Sequence, residues 1–100
     1  KVISEACYST TSVFNGSTSL CPGGVSQSTA TNSGQPCSLP GCWHGTHVAG
    51  IAAGKGSSFS GVARDADLIA IQVFSAFGND LSAYTSDIVS GLEHVLTLSS

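Results

Sequence analysis

The second half of the chain carries its clearest hydrophobic patterns. Residues 44–54 are almost all small or apolar, a composition that predicts a helix buried on all sides. Residues 68–74 form a nearly continuous apolar run, which predicts a strand buried on both faces, as in parallel sheets. A second helix is predicted between about Ser86 and Leu96, where apolar residues recur at helical spacing. They are Ile88, Leu92, Val95 and Leu96.

Two shorter features complete this pattern. Residues 1–6 predict a strand, and the Gly-Asn-Asp sequence at 78–80 predicts a turn. Gly45 and Gly50 lie inside the first predicted helix, where each glycine costs about 1 kcal/mol relative to alanine. Close approach of another backbone would compensate for them. The order strand, helix, strand, helix predicts an α/β layered fold with a parallel sheet.

The first half of the chain has a different composition. Residues 1–42 are rich in Ser, Thr and Gly and have little apolar surface to bury. We therefore divide the chain into a loop-rich region, 1–42, and a helix–strand–helix region, 43–100. With 100 residues, both belong to one small domain or to part of a larger one.

Cysteine content indicates an exported protein. The four cysteines are all in the first half, in a segment that covalent links would stabilise. They are Cys7, Cys21, Cys37 and Cys42. Two disulfides are expected, and of the three possible connectivities we favour the nested one, Cys7–Cys42 with Cys21–Cys37.

A zinc site is the alternative use of these side chains. Zinc accepts thiolate and imidazole ligands, and four such groups lie close together in the sequence. They are Cys37, Cys42, His44 and His47. Their spacing matches no zinc-finger pattern well, so the sequence favours no metal site here.

Charge and hydropathy exclude other classes of partner. The chain has three Lys and Arg against six Asp and Glu, a net charge of −3, which disfavours nucleic acid. No apolar stretch approaches the roughly 20 residues that span a bilayer, and no signal peptide opens the chain. Because the sequence has no Met, even at position 1, we expect a mature segment or a piece of a longer protein.

The two histidines of the first predicted helix carry the candidate chemistry. His44 would stand at the helix N-terminus, where a side chain can face a cleft and act as a general base. His47 would lie one turn further in, and a structural role in the core suits it better. Each histidine alone is also compatible with a purely structural role.

A longer motif around these histidines is typical of a known protein family. Residues 44–50 are His-Gly-Thr-His-Val-Ala-Gly, and residues 61–68 follow the pattern Gly-Val-Ala-x-x-Ala-x-Leu before the predicted strand. Together they resemble the subtilisin-like serine proteases, the subtilases, over residues 43 to about 96. Residues 7–42 are then expected to be a variable insertion with its own disulfides.

The resemblance implies a subtilisin-like three-layer fold with a parallel sheet, present in part, and a Ser-His-Asp triad. The first histidine of the motif, here His44, would take the proton of the catalytic serine and return it to the leaving amine. The second, here His47, would be structural. Trp43 stands where the family usually has a small or polar residue, and it would either shape the cleft rim or pack on the disulfide loop.

The family's other triad motifs are missing from these 100 residues. Neither Asp-Thr/Ser-Gly nor Gly-Thr-Ser-Met is present, and the family's oxyanion-hole Asn lies beyond the matching segment. Asp65 and Asp67 are expected to be solvated rather than catalytic. The segment alone should therefore be inactive and fold poorly, and it requires the remainder of the catalytic domain, carrying the Asp and the Ser, as its partner.

The resemblance also implies a substrate site. An exposed segment matching residues 78–83 would pair with the backbone of protein or peptide substrates, with Leu81 and Ser82 as the expected contacts. Phe74 and Tyr84 would line apolar subsites or, for Phe74 especially, belong to the core. Residues 55–60 offer no carboxylate, so no calcium or other cofactor is expected from this segment, although other parts of the domain could bind calcium.

We thus expect a secreted serine endopeptidase. A non-catalytic subtilase homologue with an altered Asp or Ser would have the same segment. A disulfide-rich extracellular binding module is the remaining alternative, against which the intact motif and the strand pattern argue.

Overall fold

The computed structural model describes residues 1–99, which form six strands and two helices around two small sheets. The strands are β1 (Val2–Tyr8), β2 (Thr18–Ser19), β3 (Gln27–Ser28), β4 (Leu68–Gln72), β5 (Phe74–Phe77) and β6 (Asp80–Ala83). The helices are α1 (Trp43–Ala53) and α2 (Thr85–Ser99).

The first sheet confirms the predicted α/β class, but it is mixed and not all-parallel as predicted. Its strand order is β3-β1-β4, with β1 parallel to β4 and antiparallel to β3. Helix α2 packs on this sheet, and Gly91 permits the close approach because a Cβ there would lie 3.2 Å from Ile71 Cγ2. The β1–β4 pair is the parallel part of the sheet within residues 1–99, so the complete three-layer fold is an expectation that these residues do not test.

Strand β4 ends two residues earlier than the apolar run predicts. The side chain of Gln72 binds the backbone of Phe74 twice: it accepts from the Phe74 N–H at 2.6 Å and donates to the Phe74 carbonyl at 3.1 Å. These bonds take the backbone groups of Phe74 away from the first ladder. Phe74 instead begins β5, in the second sheet.

The second sheet is antiparallel, with the order β2-β5-β6. Strands β5 and β6 form a hairpin whose two-residue turn is Gly78-Asn79, as the sequence predicts. Gly78 has φ +67°, a left-handed conformation that glycine adopts without steric cost. The turn ends at Asp80, the first residue of β6.

Buried hydroxyl groups join the two sheets. Ser9 and Ser75 are both fully buried, with their Oγ atoms 2.9 Å apart. Ser9 Oγ also donates to the Phe74 carbonyl and accepts from the Leu20 N–H, while Ser75 Oγ accepts from the Thr10 N–H. A segment rich in Ser and Thr is thereby ordered through polar contacts, without a large apolar core.

The predicted burial of the first helix and of the strand is wrong for the described residues. In α1, Val48 and Ile51 are 49% and 59% exposed, and only Ala53 is buried. No close contact meets a Cβ placed on Gly45 or Gly50, so neither glycine is explained by a neighbouring backbone in residues 1–99. In β4, Ile69 is 40% exposed, so one face lacks a full cover. Apolar composition indicates which surfaces favour burial, but the residues that would cover these surfaces are not among residues 1–99.

The C-terminal end of α1 is closed by residues 61–63. The N–H groups of Gly61, Val62 and Ala63 donate to the carbonyls of Gly54, Ile51 and Ala52, at 2.8, 3.0 and 2.8 Å. These bonds satisfy carbonyls that a helix end leaves without intrahelical partners. Gly61 fits only as glycine, because a Cβ there would lie 2.6 Å from the Gly50 carbonyl oxygen.

Two disulfides form, as predicted, but the predicted nested pairing is wrong. Cys7 bonds to Cys21 and Cys37 to Cys42, with Cα–Cα distances of 5.7 and 5.2 Å. Closing a short loop costs less chain entropy than closing a long one. The first bond ties β1 to the segment after β2, and the second closes the turn that leads into α1.

Peptide mapping checks this connectivity. Proteolysis without reduction should release one fragment pair joined through Cys7 and Cys21, and Cys37 should remain bonded to Cys42. Mass spectrometry before and after reduction identifies each pair. A fragment joining Cys7 to Cys42 would contradict the structure.

Removal of the Ser75 hydroxyl should destabilise the fold. Ser75→Ala leaves the part-buried Thr10 N–H without its acceptor and Ser9 without one of its three partners, at a cost of about 1–3 kcal/mol. Denaturant unfolding of the protein that contains this chain measures the loss. Thr18→Ala, at an exposed position of the neighbouring strand, is the control and should change the free energy of unfolding by about 0.5 kcal/mol or less. Equal effects of the two substitutions would contradict a structural role for the buried hydroxyl.

The Gly61→Ala substitution should also destabilise the protein. The added methyl group would meet backbone atoms of Gly50, Ile51 and Gly54 within 2.7 Å, and overpacking of this kind costs about 1–3 kcal/mol. Ser60→Ala, at the exposed position just before it, serves as the control. Thermal unfolding should show a lower midpoint for Gly61→Ala alone, and an unchanged midpoint would mean that residues 61–63 do not close α1.

Candidate active site

A tight turn presents the His motif at the start of α1. Gly41 adopts φ +95°, and its carbonyl accepts from the His44 N–H at 3.1 Å. The Cys37–Cys42 disulfide closes the same turn, in which the Cys42 N–H donates to the Leu39 carbonyl. The sequence before α1 therefore fixes where the first helical turn begins and where His44 lies.

The imidazole of His44 is accessible, as a general base requires. His44 is exposed in the first turn of α1, and the described residues place no element over it. His47 is exposed as well, so the expectation of a histidine within the core is wrong for residues 1–99. Its structural role stays a prediction that depends on other parts of the protein.

Trp43 connects the two histidines. Its ring centroid lies 6.3 Å from that of His44 and 5.9 Å from that of His47, with the second pair edge to face. Trp43 and His47 are four residues apart, the spacing at which helical side chains meet. Trp43 is 64% exposed, so it faces solvent beside His44 rather than packing beneath the disulfide loop.

The expected substrate strand lies next to this turn. Leu81 and Ser82 are in β6, at the edge of the second sheet, with Leu81 half-buried and Ser82 exposed. A Cβ placed on Gly41 would lie 3.4 Å from Leu81 Cδ1, so β6 approaches the residue three positions before His44. The fold thus brings Leu81 of the expected peptide-binding strand close to the turn that precedes His44.

Phe74 and Tyr84, the other two expected substrate contacts, are both half-buried. Phe74 is half-buried at the start of β5. Tyr84 is also half-buried, and its hydroxyl donates to Ser17 Oγ at 2.7 Å while its ring packs 5.6 Å from that of Phe77. Tyr84 therefore has a structural function in the described residues.

The carboxylates in residues 1–99 have partners other than His44, or lie in solvent. Asp65 pairs with Lys55 at 3.3 Å on the surface, and Asp67 is exposed, in agreement with the expectation of solvated groups. Asp87 is buried in the first turn of α2, where its Oδ2 accepts from Thr10 Oγ1 at 2.8 Å. This position also suits the helix dipole.

The two cysteines of the alternative zinc site form a disulfide with each other. Cys37 and Cys42 are bonded to each other, which leaves no thiolate for a metal. Among residues 1–99, no group of three or more His, Cys, Asp or Glu side chains converges as metal ligands would. No helix in the same range is long and apolar enough to cross a membrane.

Sequence reasoning missed two features of the site region. The hydroxyl cluster of Ser9, Ser75 and Thr10 is built from residues that are distant in sequence, and only the high Ser and Thr content hinted at it. The contacts of Trp43 with both histidine rings were not predicted, since the two alternatives for Trp43 were the cleft rim and the disulfide loop. Spacing four residues before His47 was the available signal for the contact with His47.

Comparison with known proteins gives the family. The model of the subtilase family matches residues 21–97. A subtilisin of Bacillus sp. (strain TA39) is 48% identical over 54 residues, an alignment that covers 51% of this chain and 12% of that protein. No solved structure matches the chain. Since the family model spans most of the chain and includes the His motif at the start of α1, the chain belongs to the subtilase family of serine proteases.

Proposed function

We propose that the protein containing this chain is a serine endopeptidase that hydrolyses peptide bonds with a Ser-His-Asp triad. The observation that carries the proposal is the accessible His44 in the first turn of α1, inside a segment that matches the subtilase family. The Asp and the Ser would come from the remainder of the catalytic domain. The chain spans 12% of the subtilisin that it matches, which leaves room for both.

His44 would act as the general base. An imidazole can accept and release a proton near neutral pH, so it can take the proton of a serine hydroxyl as the oxygen attacks the peptide carbonyl. It then gives that proton to the nitrogen as the C–N bond breaks. The bond from the His44 N–H to Gly41 and the disulfide of Cys42 support this role, because they fix the backbone that carries the imidazole.

The substrate would bind along β6 as an added strand. Strand β6 pairs with β5 on one side, and within residues 1–99 its other edge has no strand partner. An extended peptide can pair with such an edge through its backbone, which explains how a protease accepts many sequences. Leu81 and Ser82 are the expected contacts, and the approach of Leu81 to Gly41 supports a path from β6 toward His44.

The two disulfides support an extracellular location. Disulfides form and persist in oxidising compartments, which agrees with a secreted enzyme acting on proteins or peptides. We propose no nucleic-acid or membrane partner and no cofactor for this segment. Calcium sites, if the enzyme has them, would belong to other parts of the domain.

The parent reading frame is the first test of the triad. An Asp-Thr/Ser-Gly motif before this segment and a Gly-Thr-Ser-Met motif after it would complete the catalytic set. A replaced Asp or Ser would indicate a non-catalytic homologue with the same scaffold. The remaining alternative, an unrelated disulfide-rich binding module, is disfavoured by the family match.

Substitution of His44 tests its role in the full-length protein. His44→Ala should lower kcat by about 10⁴-fold or more, because the serine then has no base to take its proton. His94→Gln, in α2 beside Tyr8, is the matched control and should keep most of the activity. Initial rates on an unfolded protein substrate measure both variants. Wild-type turnover of His44→Ala would overturn the assignment of the general base.

A further inference from the structure

The indole of Trp43 is held in place but is not covered. It packs edge to face against His47 at 5.9 Å, one helical turn further along, and yet 64% of its surface is exposed. Aromatic pairs in this arrangement are mutually stabilising. The ring therefore has a defined position, and within residues 1–99 most of its surface is uncovered.

Apart from the two histidines, the sequence neighbours of Trp43 are small and carry no formal charge. Gly41 precedes it by two residues and Gly45 follows by two, and neither contributes a side chain. Residues 6–54 contain no Asp, Glu, Lys or Arg, so no formal charge in this stretch competes for the indole. A surface of this kind suits an apolar or aromatic group and offers no partner to a carboxylate.

The distance to His44 puts the indole within reach of a substrate residue at the scissile bond. This step rests on the proposed function, in which His44 gives its proton to the leaving nitrogen as the C–N bond breaks. The leaving residue must then lie within hydrogen-bond reach of the imidazole. Since the centroid of the indole is 6.3 Å from that of His44, a large side chain on the leaving residue can contact it.

We propose that Trp43 is a specificity-determining residue that forms an apolar wall for the side chain directly after the scissile bond. The preferred substrates carry Phe, Tyr, Trp or Leu at that position. Ring contacts with an indole add to the burial of apolar area, which strengthens the preference for aromatic groups. Glycine and acidic side chains gain nothing from the wall.

A peptide-mixture digest with the full-length protein tests the proposal. A mixture of synthetic peptides of varied sequence is cleaved, and mass spectrometry identifies the residue on each side of every cut. The wild-type protein should enrich aromatic residues and Leu directly after the cut. In Trp43→Ala this enrichment relative to Gly should fall by about 10-fold, while the preference before the cut stays the same.

Two further variants separate specificity from folding. Trp43→Phe keeps an aromatic surface and should keep the enrichment. Phe59→Ala removes another exposed aromatic side chain, beyond the far end of α1, and should leave both preferences unchanged. If Trp43→Ala fails to fold, Trp43→Asp provides the same test, because a carboxylate suits the first turn of a helix and should favour Lys or Arg after the cut.

The outcomes distinguish this proposal from the proposed function. Cleavage that depends on His44 but has the same residue preference in Trp43→Ala, or in its replacement Trp43→Asp, would overturn the role of Trp43 and leave the protease intact. Absence of any cleavage that depends on His44 would overturn both. A preference that changes equally on both sides of the cut would also count against the proposal, since it would indicate a displaced α1.

Discussion

The hydrogen bond between the buried hydroxyls of Ser9 and Ser75 is the contact on which the rest of the described structure depends. It lies where β1 ends and β5 begins, so it connects the parallel pair to the antiparallel hairpin. Thr10 extends the same cluster to Asp87 at the start of α2. In a low dielectric, such a cluster stabilises the fold only when every member has a partner. Here the hydroxyls of Ser9 and Ser75 both donate and accept, and the Thr10 hydroxyl donates to Asp87. The relative position of β6 and of α2 is therefore set by polar geometry more than by apolar volume.

Helix α1 has the opposite character. Its composition is almost entirely small or apolar, and yet within residues 1–99 its apolar side chains remain largely exposed. Burying side chains such as Val48 and Ile51 would contribute about 1.5–3 kcal/mol each. A helix with this surface gains most of its stability from neighbours. The expectation that the segment needs the remainder of a catalytic domain follows from the same surface, and the short alignment with a much longer subtilisin agrees with it.

Features that depend on neighbouring residues in the sequence could be predicted, whereas features that depend on contacts between distant residues could not. The β1–β4 pair, the turn at Gly78 and the helix around Gly91 were predicted, because each is encoded by local periodicity or by a local turn preference. Strands β2 and β3 were not, because each pairs over two polar residues that show no alternation. Disulfide pairing was predicted wrongly because it depends on distances between loops, which composition does not contain.

The candidate site shows the same division. The His motif placed His44 at a helix start correctly, since the motif and the helix occupy the same residues. Burial of His47 was predicted wrongly, because burial depends on what covers the helix. The approach of Leu81 to Gly41 joins residues 40 positions apart in sequence, so only the fold reveals it. The resemblance to a family suggested the substrate contacts, and the described structure shows that one of them, Leu81, lies near the turn before α1.

The two ends of α1 meet different requirements, and the sequence reflects this. At the C-terminal end the backbone of Gly61, Val62 and Ala63 closes the helix, and a side chain at Gly61 would break that contact. At the N-terminal end a disulfide and a left-handed glycine fix the turn, while the side chains of Trp43 and His44 stay free. The role that we propose for His44, a general base, requires a backbone that is held still and a side chain that is open to a substrate. Placing the rigid contacts in the backbone, and leaving the first-turn side chains uncovered, meets both conditions in one short helix.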